Sequence, residues 1–292
     1  MRELTIANTT WLFISSSEEE RHLLDIVFGY QTLVAIGVDP SRIYIFVDHP
    51  LPDIHLNPYG ISRIHALEDI RADVIQVAST ENVVLIVGGH GSHQGLGSGH
   101  LTADQILKWV RTIPNIELGL IVLTQCYAGI FNFLDALSSP KLVFIGATNL
   151  HPSVSIAIRL PDAMPLADGS RGNDAWSANI FSLGFFHWLR RPLDIDGDGA
   201  TNLLDAYKFS GVFSSEELRS NKCHTYQRIQ QLYEELRDRE RIAESDVALQ
   251  FDMGAIRTRL QQELVFLNIH QEPWLLNANL AREVVFCLSP QI

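Results

Sequence analysis

Short, unbroken apolar runs alternate along this chain with stretches whose apolar residues recur at helical spacing. Trp11–Ile14, Ile43–Val47, Val83–Val87 (VVLIV), Leu118–Leu123 and Leu142–Ile145 carry almost no polar side chain. Runs this short, without alternation, predict strands covered on both faces, the habit of parallel sheets. After the first run, Leu23, Ile26, Val27, Tyr30, Leu33 and Val34 fall on one helical face. Ser17-x-x-Glu20 predicts a capping box at the start of that helix and Gly37 its end. Thr102 and Gln105 predict a second capping box, ahead of Ile106, Leu107, Val110 and Ile113. Ser177–Leu189 reads as a largely apolar helix, Ser215–Val247 as a charge-dense helix with a solvated face, and Val284–Leu288 as a last strand at the sheet edge. Strands alternating with helices predict an α/β fold with a mostly parallel sheet and helices on both faces. In such sheets ligands sit beyond the carboxyl ends of the strands.

Composition narrows the class. With 46% hydrophobic and 19% charged residues among 292, the chain can bury a large core, which excludes a disordered polymer. A net charge of −12 without a basic run argues against nucleic acid or an anionic membrane as partner. Cys126, Cys223 and Cys287 are too few and odd in number for a disulfide framework, so a reducing, cytoplasmic setting is expected. The N-terminal stretch lacks a basic segment followed by a long apolar one, so neither a signal peptide nor a membrane span is expected.

Chemistry concentrates at two strand ends. The third run leads into Gly88-Gly89-His90-Gly91-Ser92-His93, and the fourth into Thr124-Gln125-Cys126-Tyr127-Ala128-Gly129. Successive β/α units tend to lie side by side, so His90 and Cys126 are expected at the same edge. A cysteine attacks as thiolate, and an adjacent imidazole favours that form or protonates a leaving amine. Glycines beside the histidine let backbone amides approach a substrate oxygen. A lone strand-end cysteine is ordinary core filling; the pairing points to catalysis. GGHGSHQG is neither a Walker loop nor a dinucleotide fingerprint.

These two segments, with LTADQILKWV between them, resemble the caspase–hemoglobinase clan of cysteine peptidases, nearest to its bacterial legumain-like members. The likeness covers roughly residues 8–210. It implies a caspase-like three-layer sandwich and an endopeptidase acting on a protein or peptide substrate. It assigns a dyad to Cys126 and His90, with the amides of Cys126 and Gly91 as the oxyanion hole. Many clan members carry an acid or amide two residues before the cysteine, where it lines the substrate pocket. This chain has Thr124 there and Gln125 one place later, which leaves the substrate preference open.

A second stretch, DIDGDGATNLLD, sets Asp194, Asp196, Asp198, Asn202 and Asp205 at positions 1, 3, 5, 9 and 12, with Gly199 at 6 and the carbonyl of Ala200 at 7. That spacing suits a Ca²⁺ loop and resembles dockerin loops, which end on Asp. The resemblance implies pocket walls from the segment after the fifth strand, which makes Asp174 and Trp176 candidate pocket residues; an acidic pocket would favour Arg or Lys in the substrate. His93, His100 and Cys223 receive no role, and Cys287 reads as structural. The expected organisation is a peptidase core over 1–212 with a helical elaboration and terminal strand over 213–292 in the same domain. The charge-dense helix also suits an inserted regulatory arm or a site of self-cleavage at one of its arginines, and the partners left open include an activating or regulatory protein. Two other functions stay open: a catalytically silent Ca²⁺-dependent interaction module on the same fold, and a cysteine hydrolase of small esters or amides.

Overall fold

The computed structural model describes residues 1–48, 53–70, 80–97, 101–242 and 247–288. His100 and residues 243–246 of the expected charge-dense helix lie outside the described residues. The chain opens with β1 (Arg2–Thr5), β2 (Thr9–Ser15), α1 (Glu20–Ala35), β3 (Ile43–Val47), the single turn α2 (Asp53–Leu56) and β4 (Ile64–Ala66). It continues through β5 (Asn82–Val87), the short hairpin β6 (Gly91–Ser92) and β7 (Gly95–Leu96), α3 (Ala103–Thr112), β8 (Leu118–Leu123) and β9 (Lys141–Gly146). A second hairpin, β10 (Ser155–Arg159) and β11 (Ala175–Asn179), leads into α4 (Ile180–Arg190). Then come α5 (Leu203–Ile242), α6 (Val247–Asn268), β12 (Trp274–Leu276), α7 (Ala278–Ala281) and β13 (Val284–Cys287).

The fold is α/β. Its main sheet has the order β12-β9-β8-β5-β2-β3-β4, and every neighbouring pair is parallel except β12 with β9. Alternate strand residues face opposite ways, and the core divides accordingly. Trp11, Phe13, Ile45, Ile86, Val122 and Ile145 pack with the apolar faces of α1 and α4. Leu12, Ile14, Phe46, Leu85, Leu123 and Phe144 pack with α3 and with the short 3₁₀ turn Ala128–Phe133. This makes three layers, with polar chemistry driven to the strand ends.

Strand order creates the site. The chain runs outward from β2 through β3 and β4, then crosses back to lay β5, β8 and β9 on the other side of β2. The segments after β2 and β5 therefore leave adjacent strands for opposite faces, since α1 belongs to one core layer and α3 to the other. A crevice opens between two strands at such a reversal.

Local signals held in part. Thr102 and Gln105 form both bonds of a capping box at the start of α3. Ser17 caps nothing. Its amide and hydroxyl both donate to Asp48 Oδ1, at 2.7 and 2.9 Å, tying the end of β2 to that of β3, and α1 starts at Glu20 without a side-chain cap. The expected helix over Ser177–Leu189 begins later: Ser177 to Asn179 finish β11, paired with Ser155 to Ala157, and Asn179 caps α4.

The last strand is a correction too. β13 pairs in parallel with β1 in a separate two-stranded sheet, and β12 takes the edge of the main sheet beside β9. The space a side chain at Gly146 would need is filled by the indole of Trp274, whose Nε1 donates to the Thr148 carbonyl at 2.9 Å. The expected single elaboration over 213–292 is also divided. Ser215–His270 forms a compact unit of its own, in which Ile229, Leu232, Ile256 and Leu260 are buried together, whereas the segment from Gln271 onward groups with residues 1–214. Among the described residues no helix is long and apolar enough to cross a membrane.

Gly146→Ala is expected to force the Trp274 ring off the edge of β9 and to lower stability by about 1–3 kcal/mol, the usual cost of overpacking. Chemical denaturation checks this, and an unchanged midpoint would mean that β12 pairs without help from the indole.

Candidate active site

Four strand ends converge. Strand pairing runs one residue past β5, β8 and β9: Gly88 N donates to Ile14 O, Thr124 N to Val87 O and Ala147 N to Leu123 O, each at 2.8 Å. The residues just beyond are thus set on a rigid edge. His90, after β5, and Cys126, after β8, line one cleft, together with Arg21, His22, Ser153 and Asn179. Close packing fixes the two loops against each other. Gly91 lies against the Cys126 carbonyl and the Gln125 side chain, and Gly89, at φ +81°, against the backbone of Ser16, so that a Cβ at either glycine would collide. Tyr127 adopts a left-handed conformation, φ 57° and ψ 29°, held by its amide donating to the His151 carbonyl at 2.9 Å. That sharp turn directly follows the cysteine.

Cys126 is partly exposed, and its Sγ accepts the Ser153 amide at 3.3 Å, a donor that a thiolate can use. Asn179 locks the surroundings. Its Nδ2 donates to the Thr124 carbonyl at 2.8 Å and to Ser153 Oγ at 2.9 Å, while its Oδ1 accepts the Ser182 amide at 3.0 Å. One side chain thereby ties the strand end before Cys126, the loop on the sulfur and the start of α4.

His90 has a carboxylate partner. Its Nε2 lies 2.6 Å from Glu19 Oε1, and Glu19 also takes a hydrogen bond from Arg21 Nε. That bond holds the Glu19 carboxyl down at about 2, against the smaller opposing effect of burial. Arg21 also reaches Ser155 Oγ at 3.0 Å. His22 packs edge-on against the His90 ring, with centroids 4.8 Å apart. Burial, helped by the positive charge of Arg21, lowers its value to about 4, so it is neutral at pH 7. His93 turns elsewhere, its ring 4.1 Å from that of Tyr127.

Of the four expected pocket residues, only Thr124 lines the cleft. It is buried and its hydroxyl donates to the Val87 carbonyl at 2.9 Å. Gln125 is buried beside Gly91, with its Oε1 unpaired among the described residues. Asp174 pairs with Arg171 at 2.9 Å and Arg159 at 3.5 Å, which neutralise the charge expected to attract a basic substrate residue. Trp176 is core: it packs against Phe28 and its Nε1 donates to Asp25 Oδ1 at 2.8 Å. Glu19, Arg21, His22, Asp25, Ser153 and Asn179 escaped the sequence reading. Glu19 lay in plain view in the Ser-Glu-Glu-Glu run, read there only as a helix start.

The aspartate loop is assembled in part. Asp194, Asp196 and Asp198 bring carboxylate oxygens within 4.8 Å of one another. Gly197 and Gly199 lie at φ +75° and +87°, which curls the loop, and Asp194 accepts the amides of both, at 2.7 and 2.9 Å. Asn202 and Asp205 are buried and turned to the backbone. Asp205 accepts the amides of Ile195, Asp196 and Asn202, and Asn202 Oδ1 that of Leu204. Lys208 Nζ already sits 2.7 Å from Asp196. Three carboxylates fit a hard cation; the other two side chains serve the start of α5 instead.

No family model matches the chain, and no curated protein matches it. The site is read from its own geometry.

Asp25 gives the site a pH signature. Burial raises its carboxyl from 3.8 to about 7, against the Trp176 and Asn179 hydrogen bonds that favour the charged form. A raised folded-state value contributes stability below pH 4 that is lost progressively as pH rises towards 7. Asp25→Asn mimics the protonated acid. The stability of the native protein relative to this variant is expected to fall by up to about 4 kcal/mol between pH 4 and 7, read from urea unfolding at each pH. His22, whose lowered value acts in the opposite direction over that range, cancels in the comparison. A difference independent of pH would show that the Asp25 carboxyl is ionised throughout.

Proposed function

We propose that this chain is a cysteine endopeptidase in which Cys126 is the nucleophile and His90 its acid–base partner. The observation that carries the reading is the delivery of both side chains, from the ends of neighbouring strands β5 and β8, into one cleft where a backbone amide is aimed at the sulfur. The thiolate of Cys126 attacks the carbonyl carbon of the scissile peptide, and the carbonyl electrons move to oxygen. The amides of Gly91 and Cys126 are the proposed donors to that oxyanion. On collapse of the tetrahedral intermediate, His90 gives a proton to the departing amine. Water, deprotonated by the same imidazole, then releases the acyl group and regenerates the thiol.

Glu19 supports this cycle as a positioning residue. It occupies Nε2 of His90, leaving Nδ1 as the nitrogen available to the thiol. Arg21 and the Asn179 network keep the cleft polar and fixed. The reading also includes a Ca²⁺ ion held by Asp194, Asp196 and Asp198 with the Ala200 carbonyl. It would replace Lys208 as the counter-charge in the loop.

A panel of fluorogenic peptides tests the catalytic reading. Cys126→Ala is expected to abolish turnover without loss of the folded signal, and His90→Ala to lower it by roughly 10²–10⁴-fold. Glu19→Gln is expected to lower kcat and to move the acid limb of the pH–rate profile, an effect that simple loosening of the fold would not give. Full turnover in a clean Cys126→Ala preparation ends the peptidase reading. For the aspartate loop, the melting temperature is expected to rise with millimolar Ca²⁺, and Asp194→Ala to remove most of the rise. Calorimetric titration without binding heat at that concentration would end the calcium assignment.

A further inference from the structure

We propose that Glu19, His22 and His90 form a binding site for a late first-row divalent cation, Zn²⁺ being the natural occupant, and that occupancy withdraws His90 from Cys126. The second half rests on the peptidase reading; the binding half does not.

Each of the three residues offers one ligand atom, and the three atoms lie within 4.8 Å of one another. Two imidazole nitrogens and one carboxylate oxygen make the donor set that Zn²⁺ takes in sites with a fourth position open. The elements that supply them are independent: Glu19 and His22 come from the start of α1, and His90 from the loop after β5. The strand reversal between β2 and β5 brings them together. The fold therefore assembles the site from two separate segments, with His22 buried and Glu19 and His90 half-exposed.

His22 supplies a second, independent observation. The residue is only 4% exposed, and its Nδ1 has no hydrogen-bond partner among the described residues. A buried polar atom without a partner costs free energy that a ligand bound there would recover.

Glu19 and His90 already face each other at 2.6 Å, with the proton of the imidazole between them. A cation entering this contact takes the Nε2 lone pair and the Oε1 oxygen in place of that proton, which goes to solvent or to Nδ1. The opposing charge is Arg21, which holds the other oxygen of Glu19 and leaves Oε1 free to turn to the metal. A coordinated His90 ring no longer alternates between imidazole and imidazolium. The same substitution that fills the site therefore stops proton delivery to the leaving amine.

Metal content after dialysis of the full-length protein against micromolar Zn²⁺ tests the first half. One equivalent of zinc is expected on the native protein, on Asp194→Ala and on Cys126→Ala, the latter two controlling for the aspartate loop and for capture by the thiolate. His22→Ala is expected to lose it. Because His22 is buried, the more exposed Glu19→Gln serves as a second variant, with zinc affinity at least tenfold weaker and the hydrogen-bonding shape retained. No stoichiometric zinc on the native protein, or equal binding by both ligand variants, overturns the site. For the second half, zinc is expected to inhibit peptide turnover, a chelator to restore it, and Glu19→Gln to need at least tenfold more zinc for half-inhibition. Zinc bound without inhibition, or inhibition equally strong in Glu19→Gln, overturns the regulatory claim alone. Should the protein turn over no peptide, the dialysis result still decides the site.

Discussion

Five parallel strands buried on both faces, β2, β3, β5, β8 and β9, impose the constraint from which the rest follows. Side chains along β2, β5 and β8 have apolar neighbours above and below, so a charge or unpaired polar group within them would cost several kcal/mol. Polar chemistry is confined to the strand ends. There the reversal of strand order between β2 and β5 parts two adjacent loops and leaves room for a cleft. Cys126, His90, Glu19 and His22 meet there although three separate segments of the chain carry them.

What fixes the cleft is a small set of side-chain bonds between segments far apart in the chain. Asn179, at the start of α4, bridges the Thr124 carbonyl and the hydroxyl of Ser153, whose amide reaches the sulfur. Asp25, on α1, takes the Asn179 amide and the Trp176 indole, so the α1 face that buries the core also anchors the hairpin behind the site. The close contacts of Gly89 with Ser16 and of Gly91 with Cys126 then leave the histidine loop little freedom. Orientation of His90 falls to Glu19, itself steadied by Arg21. Acid–base chemistry depends on such preorganisation, because a misplaced imidazole loses rate even when its protonation state is right.

The acidic loop at residues 194–205 obeys a different rule. Its aspartates lie in the order a cation needs, yet the first turn of α5 has unsatisfied amides of its own. Asn202 takes one of those amides, that of Leu204, and Asp205 takes the amides of Asn202, Ile195 and Asp196 just before the helix. The remaining three carboxylates gather with Lys208 as their counter-charge. Backbone amides thus take the side-chain oxygens of two of the five residues whose spacing suits a cation loop.

The sequence by itself determined the elements and the chemistry at their ends. Val83–Val87 and Leu118–Leu123 are legible as doubly buried strands because apolar residues occupy both faces, and Thr102 with Gln105 marks a helix start through contacts three residues apart. From these, His90 and Cys126 could be placed at one edge. Tertiary structure alone decided which polar groups meet there. Nothing local in Ser17 says that its hydroxyl will serve Asp48, or in Glu19 that it will face a histidine seventy-one positions on. Nor could periodicity tell that Trp176 enters the core, that Asp174 is neutralised by two arginines, or that β13 leaves the sheet edge to β12. Periodicity reports which face of an element is apolar, a property of neighbours along the chain. Pairing of polar groups depends on strand order and on contacts between segments that periodicity does not relate, and only the folded chain brings those together.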